Sequence, residues 1–406
     1  MKTLKFLHTG DWHLDAAPYN IKKAESSLQQ LVEYCENNKV DAIINTGDIW
    51  EKAQVDPFYD SDKGNGVKLA IKYLRRLSKL VDFIFIVKGN NSHDPAGSIN
   101  KLHQLKPNIY AYEYPVCLGI FSDGHAYPDY GVGDLLRMKE ILESPEYIIS
   151  LIPYPTKSSF ISEDSIDNNN ANFIEKFEQI FDQIGDITQP YTCPKLLAFH
   201  GNVVGSRLSS GQSLVSQDIM VAPSTLQKAN ADYYALGHIH LRQEVAPNMV
   251  YSGSIYNKNW GETEQKSFEV VEFNTSETQS SYKLSDHNPY HLDSARPMIT
   301  VEAEFKNGNF TGFDPIQPNS EIRLRCKINE NERNLITDEK IAGLKGYFGE
   351  DVKIELNIVP TERESRSEQI MNCRTLIDEV KEYASVINEQ INGTIETKVA
   401  QLQESL

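Results

Sequence analysis

Short runs rich in Ile, Val, Leu and Phe alternate along the chain with longer stretches whose apolar positions recur at three- and four-residue steps. The runs predict strands over residues 4–8, 41–46, 83–88, 147–152, 196–200, 233–236, 249–252 and 267–273. Between the first three lie two helical patterns. Residues 21–37 bring Leu28, Leu31, Val32 and Cys35 to one side, and residues 67–80 do the same with Ile71, Leu74 and Leu77. Strand–helix–strand order at this spacing predicts an α/β core with part of its sheet parallel. The polar, unpatterned stretch 162–172 reads as a surface loop.

Around residues 286–297 the pattern changes. Alternating runs at 299–305 and 321–328, a helix near 337–347 and a last strand at 352–358 describe a small separate α+β module. From Arg363 onward proline disappears, and Leu376, Val380, Tyr383, Ile387, Ile391, Ile395, Val399 and Leu402 form a helical stripe, broken at Gly393. The expected division is 1–290, 296–361 and 365–406.

The chain has 406 residues, 40% apolar and 24% charged, as expected for an ordinary globular protein of more than one domain. No run approaches the roughly 18 apolar residues of a membrane span. The N-terminal stretch reads as a first strand and not a signal peptide, because Asp11 and Asp15 follow without a cleavage site. Five scattered cysteines suggest neither a disulfide framework nor a zinc knuckle, which fits a reducing, cytoplasmic setting. The net charge of −17 weighs against tight non-specific binding to nucleic acid. Its distribution softens that: residues 1–110 hold 15 Lys+Arg against 13 Asp+Glu, and the remainder 25 against 44.

Five motifs carry the chemistry. Asp11 and His13 follow the first predicted strand, Asp48 the second, and Asn90 through Asp94 the third. His200 ends the fourth strand of the set, and His238 with His240 follow the fifth. Ligands in open α/β sheets bind at the carboxyl ends of strands, so all five motifs can meet at one edge. Residues two apart in extended backbone point the same way, which lets Asp11 and His13, or His238 and His240, face one ion. Carboxylate, imidazole and amide oxygen together suit Mn²⁺ or Fe²⁺, with Zn²⁺ also admitted. Seven candidate ligands without thiolate argue for two ions sharing a bridging carboxylate, not one tetrahedral zinc. Two ions roughly 3.5–4 Å apart can generate a hydroxide and stabilise the attacking and leaving oxygens at phosphorus.

The ordered set Asp-x-His, Gly-Asp, Gly-Asn…His-Asp, His and Gly-His-x-His resembles the calcineurin-like metallophosphoesterase superfamily. A finer resemblance, to its SbcD-type nuclease subunits, runs from Leu7–His13 through Ala235–His240, Tyr251–Ser254 with Gly261 and Glu262, and Arg296–Glu302, to Ile358–Thr361. It implies a four-layer sandwich, two central mixed sheets flanked by helices, with a small α+β capping domain and a helical tail. By the same resemblance Asp11, His13, Asp48 and His240 hold one ion. Asp48, Asn90, His200 and His238 hold the other, and His93 serves the leaving oxygen as a transition-state donor.

The ions implied are two divalent cations, Mn²⁺ first, with Mg²⁺, Fe²⁺ or Zn²⁺ as alternatives. One departure stands out: the family writes Gly-Asn-His-Asp, whereas Asn91 and Ser92 intervene here, so Asn90 or Asn91 is the amide ligand. The implied activity is a DNA nuclease, exonucleolytic from the 3′ side of double-stranded ends and endonucleolytic on single strands and hairpins. The implied partners are DNA, an SbcC-type ATPase whose coiled-coil base receives the tail, and a second copy of the chain, with no membrane. Two rival readings are a phosphoesterase for nucleotides or other small phosphodiesters and a silent scaffold of the same fold.

The other polar residues have plainer readings. His8 is expected to be packed or hydrogen-bonded, and His103, His125, His287 and His291 structural or superficial. Asp15 and Asp94 orient neighbours, Trp12 and Trp50 pack, and Lys52, Lys88, Arg75 and Arg76 form a solvated face.

Overall fold

The structure, a computed structural model, describes residues 2–15, 17–51, 65–122, 124, 126–127, 145–155, 169–210, 212, 219–275, 282–313, 319–360, 370 and 372–405. The first sheet begins with β1 (Thr3–Thr9), helix α1 (Pro18–Asn37), β2 (Val40–Asn45), α2 (Asn65–Leu77), β3 (Val81–Val87) and β4 (Ile109–Tyr112). These four strands lie side by side and parallel, as the strand–helix alternation predicts. A second sheet follows from β5 (Val116–Ile120), β6 (Ala126–Tyr127), β7 (Tyr147–Ile152), helix α3 (Asn169–Thr188) and β8 (Lys195–His200). The small pair β9 (Asn202–Val203) and β10 (Met220–Val221) and helix α4 (Pro223–Gln227) lead to β11 (Tyr233–Gly237), β12 (Gln243–Ala246) and β13 (Met249–Tyr251). Its order is β12-β13-β11-β8-β7-β5-β6. Strands β14 (Ser267–Thr275) and β15 (Tyr282–His291) then return antiparallel to the first sheet, giving β15-β14-β1-β2-β3-β4.

The layers follow from side chains alternating across a strand. Phe6, Ile44 and Phe85 face the opposite sheet and pack with Leu118, Leu151, Leu196 and Tyr233 in the central core. Their neighbours Leu7, Ile43 and Ile84 face outward onto Leu28, Leu31, Leu74 and Leu77 of α1 and α2. On the far side Leu197 and Phe199 meet Phe177, Phe181 and Ile184 of α3. Both sheets are therefore buried on two faces, and their central strands read as continuous apolar runs.

Several details differ from the sequence reading. Residues 169–172 open α3 instead of belonging to a loop; residues 162–168 lie outside the described set. Strands β4, β5 and β15 have no counterpart among the predicted runs, being short or heavily polar, with β15 buried nowhere along its length.

The chain divides into two compact units, residues 1–300 with 316–323, and residues 301–315 with 324–406. Strands β16 (Met298–Lys306), β17 (Asn309–Thr311), β18 (Glu321–Asn329) and β19 (Lys353–Val359) form a sheet in the order β17-β16-β18-β19. In the second unit helix α5 (Asp338–Phe348) carries Leu344, buried like Phe305, Leu324, Cys326 and Ile328. The terminal stripe forms two helices, α6 (Leu376–Val386) and α7 (Gly393–Ser405). The break falls over residues 387–392, and Gly393 begins the second helix. Tyr383, Val386, Ile387, Ile395 and Leu402 are exposed.

Candidate metal centre

Each motif sits at a strand's carboxyl end, His200 as the last residue of β8 and the others just beyond their strands. The loops after β1 and β2 run side by side, with Asp11 N donating to Gly47 O at 2.9 Å and His13 N to Asp48 O at 2.9 Å. Four residues of these loops and of the one after β11 occupy left-handed backbone: Asp11, His13, Asp48 and His238, at φ of 49°, 44°, 50° and 99°. Such conformations cost of order 1–3 kcal/mol each and persist where the surroundings over-determine them. Asp94 helps to do so. Its carboxylate accepts from the backbone N–H groups of Gly89 (2.8 Å), Asp48 (2.9 Å), Ile49 (3.1 Å) and Trp50 (3.3 Å).

Asp48 is the hub. His200 Nε2 lies 3.4 Å from its Oδ1 and His13 Nε2 lies 4.0 Å from its Oδ2. Asn90 touches it twice, from the backbone N–H to Oδ1 at 2.9 Å and from Nδ2 to Oδ2 at 3.1 Å. Three sets of side chains, Asp11–His13–His240, His13–Asp48–His93 and Asp48–His200–His238, converge with candidate ligand atoms within 4.8 Å of one another. All seven proposed ligands and His93 thus come to one place.

The two-residue insertion is absorbed as a turn, in which Asn90 O accepts from the N–H of His93 (3.1 Å) and of Asp94 (2.8 Å). Asn90 keeps its place against Asp48 through its N–H groups, with its Oδ1 accepting from Ser92 N at 3.0 Å, and Asn91 Oδ1 is taken by Lys88. Lys88 is buried, not on a solvated face, because β3 ends inside the protein and its ammonium is satisfied by that turn. Lys52 and His125 lie outside the described residues.

The donor set fits divalent cations. The Nε2 atoms of His13 and His240 lie 2.9 Å apart. Two nitrogens bound at right angles to one ion, each about 2.1 Å from it, stand about 3.0 Å apart. His240 Nδ1 is buried without a hydrogen-bond partner among the described residues. His200 Nδ1 meets the Thr46 carbonyl at 2.5 Å, which can only accept, so the proton sits there and Nε2 is the free ligand atom.

Electrostatics agree. Burial opposes ionisation of Asp48, yet His200, His93 and His13 hold its carboxyl well below the usual carboxylate range. Burial pushes Asp11 up to about 6, with His200 pulling against it and Asp48 adding to it. Burial and Asp48 carry Asp94 up to about 7 against its backbone donors. Burial drives His13 and His240 well below the ordinary histidine value, keeping them in the neutral form that ligates. Burial lowers His200, but Asp48, Asp11 and the Thr46 carbonyl together raise it to about 9, so its Nε2 holds a proton that a bound cation would displace.

Other residues reach the site that the motifs do not name. Asn202 Nδ2 stands 3.1 Å from His238 Nε2, and Gln212 donates to the His238 carbonyl at 2.6 Å and accepts from His240 N at 3.1 Å. Glu51 Oε2 lies 3.2 Å from His13 Nδ1 and 2.6 Å from Lys258 Nζ. Buried Lys266, paired with Glu262 (2.9 Å) and Glu264 (2.7 Å), reaches the His240 carbonyl at 3.2 Å. Only Asn202 carried a readable signal, two residues past His200 in extended backbone. Among the plainer readings, His8 is bonded to Tyr233 OH and Leu236 O, Asp15 caps the start of α1 through Ala17 N and Asn20, and Trp12 and Trp50 are buried.

A two-sheet α/β sandwich with a histidine- and aspartate-lined centre at its strand ends defines a metal-dependent phosphoesterase. The calcineurin-like phosphoesterase family profile matches residues 4–242, more than half of the chain, and the protein belongs to that family. It is similar to the SbcD component of the nuclease SbcCD from Escherichia coli strain K12, at 22% identity over 414 aligned residues covering 93% of this chain and 94% of that protein. It is also similar to the uncharacterized metallophosphoesterase YhaO of Bacillus subtilis strain 168, at 22% over 284 residues, 66% of this chain and 57% of that protein. No helix among the described residues is long and apolar enough to cross a membrane.

Proposed function

We propose that this phosphoesterase is a DNA nuclease working with an SbcC-type ATPase in DNA end processing, repair and recombination. The observation that carries the reading is the meeting of three His/Asp sets, two joined through His13 and two through Asp48, in a chain similar to a nuclease component along nearly its whole length. Asp11, His13, Asp48 and His240 hold one divalent cation and Asp48, Asn90, His200 and His238 the other, with Mn²⁺ the best match to a mixed carboxylate, imidazole and amide set. When bound, the cations supply Lewis-acid stabilisation at phosphorus and lower the pKa of a water. His93 stands beside His13, ring centroids 4.5 Å apart, with Nδ1 on the Glu51 carbonyl at 2.7 Å. Its Nε2 is therefore the atom left for a proton or hydrogen bond at the leaving sugar oxygen.

The module at 296–361 acts as a cap that guides DNA, and the exposed apolar side chains of α6 and α7 meet the ATPase's coiled coil. Duplex ends are cut from the 3′ side and single strands or hairpins internally, in a cytoplasmic homodimer. The test is purified protein with Mn²⁺ on a labelled DNA hairpin beside bis(p-nitrophenyl) phosphate. Cleavage of both, lost together in Asp48→Asn, is the expected result. Hydrolysis of the small ester alone would remove the nuclease reading in favour of a small-phosphodiester enzyme.

A further inference from the structure

Asn91 and Ser92 are the two residues by which this chain departs from the Gly-Asn-His-Asp order, and Ser92 acts directly on Asn90. Both ends of the Asn90 amide are engaged. Its Nδ2 donates to Asp48 Oδ2 at 3.1 Å, and its Oδ1 accepts from Ser92 N at 3.0 Å and from the Ser92 hydroxyl. The two ends agree on that orientation, because a carboxylate oxygen accepts and a backbone N–H only donates. The amide therefore shows Asp48 its NH₂, which only donates, and turns its ligating oxygen toward Ser92. The turn that carries Ser92 is braced. Asn90 O accepts from His93 N at 3.1 Å and Asp94 N at 2.8 Å, and buried Lys88 holds Asn91 Oδ1.

We infer that Ser92 is a positioning residue that competes with a divalent cation for the Asn90 amide oxygen, weakening the Asp48–Asn90–His200–His238 set. The inference rests on the reading of Asn90 as a ligand. For its oxygen to join Asp48 on one ion the amide must turn over, and Nδ2 then faces Ser92. The hydroxyl can reverse its role and accept from Nδ2, but the backbone N–H cannot, and it loses its acceptor. A hydrogen bond of this kind contributes a factor of about 2–10 to an equilibrium. The Asp11–His13–Asp48–His240 set lacks Asn90 and is spared that factor. The two-residue insertion thereby separates the affinities of two sets that share Asp48.

The experiment uses the full chain labelled with ¹⁵N-serine and stripped with EDTA, the Ser92 amide being assigned by Ser92→Ala. Titration with diamagnetic ZnCl₂ should move the Ser92 N–H resonance upfield and speed its exchange with water as the weaker ion binds. In Asn90→Asp, whose carboxylate has an oxygen for each partner, that resonance should stay where it is. Titration with MnCl₂, with free Mn²⁺ read by electron paramagnetic resonance, should show two steps in the parent. Deleting Asn91 and Ser92 should tighten the weaker step by about 2–10-fold and leave the stronger one unchanged. Made in the Asn90→Asp background, the same deletion should change neither step. Two bound ions with the Ser92 N–H unmoved would overturn the proposal, as would a deletion variant of parental circular dichroism whose weaker step is parental. If the deletion does not fold, the Ser92 resonance decides alone. A parent that takes up fewer than two Mn²⁺ at saturation is a different failure, that of the two-cation reading itself.

Discussion

Gly89 closes β3 directly behind the centre, and replacing it with alanine tests whether the packing of the Asp48 and Asn90 loops sets the site. A Cβ built there would lie 2.0 Å from Asp48 Oδ1 and 2.4 Å from Asp48 N. Carbon does not approach such atoms closer than about 3 Å, so the loops must part by about 1 Å. Neither neighbour can simply swing aside. Asp48 Oδ1 accepts the Asn90 N–H at 2.9 Å, and Asp48 N donates to Asp94 at 2.9 Å. Overpacking of this kind costs about 1–3 kcal/mol, which in a protein of this size lowers the melting temperature by a few degrees. The larger effect is on chemistry, because a displacement of about 1 Å in a reactive constellation costs about 100-fold in rate. The assay is Mn²⁺-stimulated hydrolysis of bis(p-nitrophenyl) phosphate at saturating substrate, with a circular-dichroism melt of the metal-free protein. A Gly89→Ala enzyme within about threefold of the parent in kcat and Mn²⁺ affinity would refute the reasoning.

Other outcomes follow from the core, a helix and a buried histidine. Phe6 is fully buried between the sheets, edge-on to Tyr147 at 5.0 Å and to Phe273 at 5.9 Å, so Phe6→Ala should destabilise by about 3–5 kcal/mol in urea unfolding; a loss under about 1 kcal/mol is inconsistent with that packing. Gly343 lies inside α5 with nothing within 4 Å of a built Cβ, so Gly343→Ala should stabilise the helix by about 0.5–1 kcal/mol. A drop in melting temperature there would show hidden crowding. Burial pushes His8 down to about 3, with Nε2 on the Leu236 carbonyl and Nδ1 facing the Tyr233 hydroxyl. Above the unfolded value of about 6.5 the ring is neutral in both states and contributes no pH dependence. As pH falls from there toward 3 only the unfolded chain takes the proton, so stability drops, by roughly 2 kcal/mol at pH 5. His8→Gln should flatten that part of the pH–stability curve; an unchanged slope between pH 7 and 5 counts against it.

Strands β1, β2 and β3 of the first sheet were legible because they are uninterrupted apolar runs separated by amphipathic helices, the pattern of an α/β core with parallel strands. The ligand set was legible for a related reason: Asp11, Asp48, Asn90 and His238 each follow such a run and His200 ends one, so strand order aligns the first three on one sheet and the two histidines on the other, and the packing of the two sheets joins them. Strand β15 was not, since its side chains are half-exposed or exposed and its pairing with β14 comes from backbone hydrogen bonds that leave no apolar alternation. Lys88 was misread for the opposite reason. A lysine at a strand end reads as solvated until the partner that satisfies it, here Asn91 of the same turn, is in place.

Local rules of this kind, periodicity along the chain and residue types suited to cations, determined an α/β core with a partly parallel sheet and named seven candidate ligands, while the sandwich was implied by the family resemblance. What only the tertiary structure decided is which contacts hold them: Asp94 under the Asp48 loop, Thr46 behind His200, Glu51 behind His13, and Asn90 rather than Asn91 against Asp48. These are hydrogen bonds and ion pairs between residues up to 154 positions apart. Their partners are fixed by loop geometry, which hydrophobic pattern does not encode, and so they become visible only once the strands have brought the loops together.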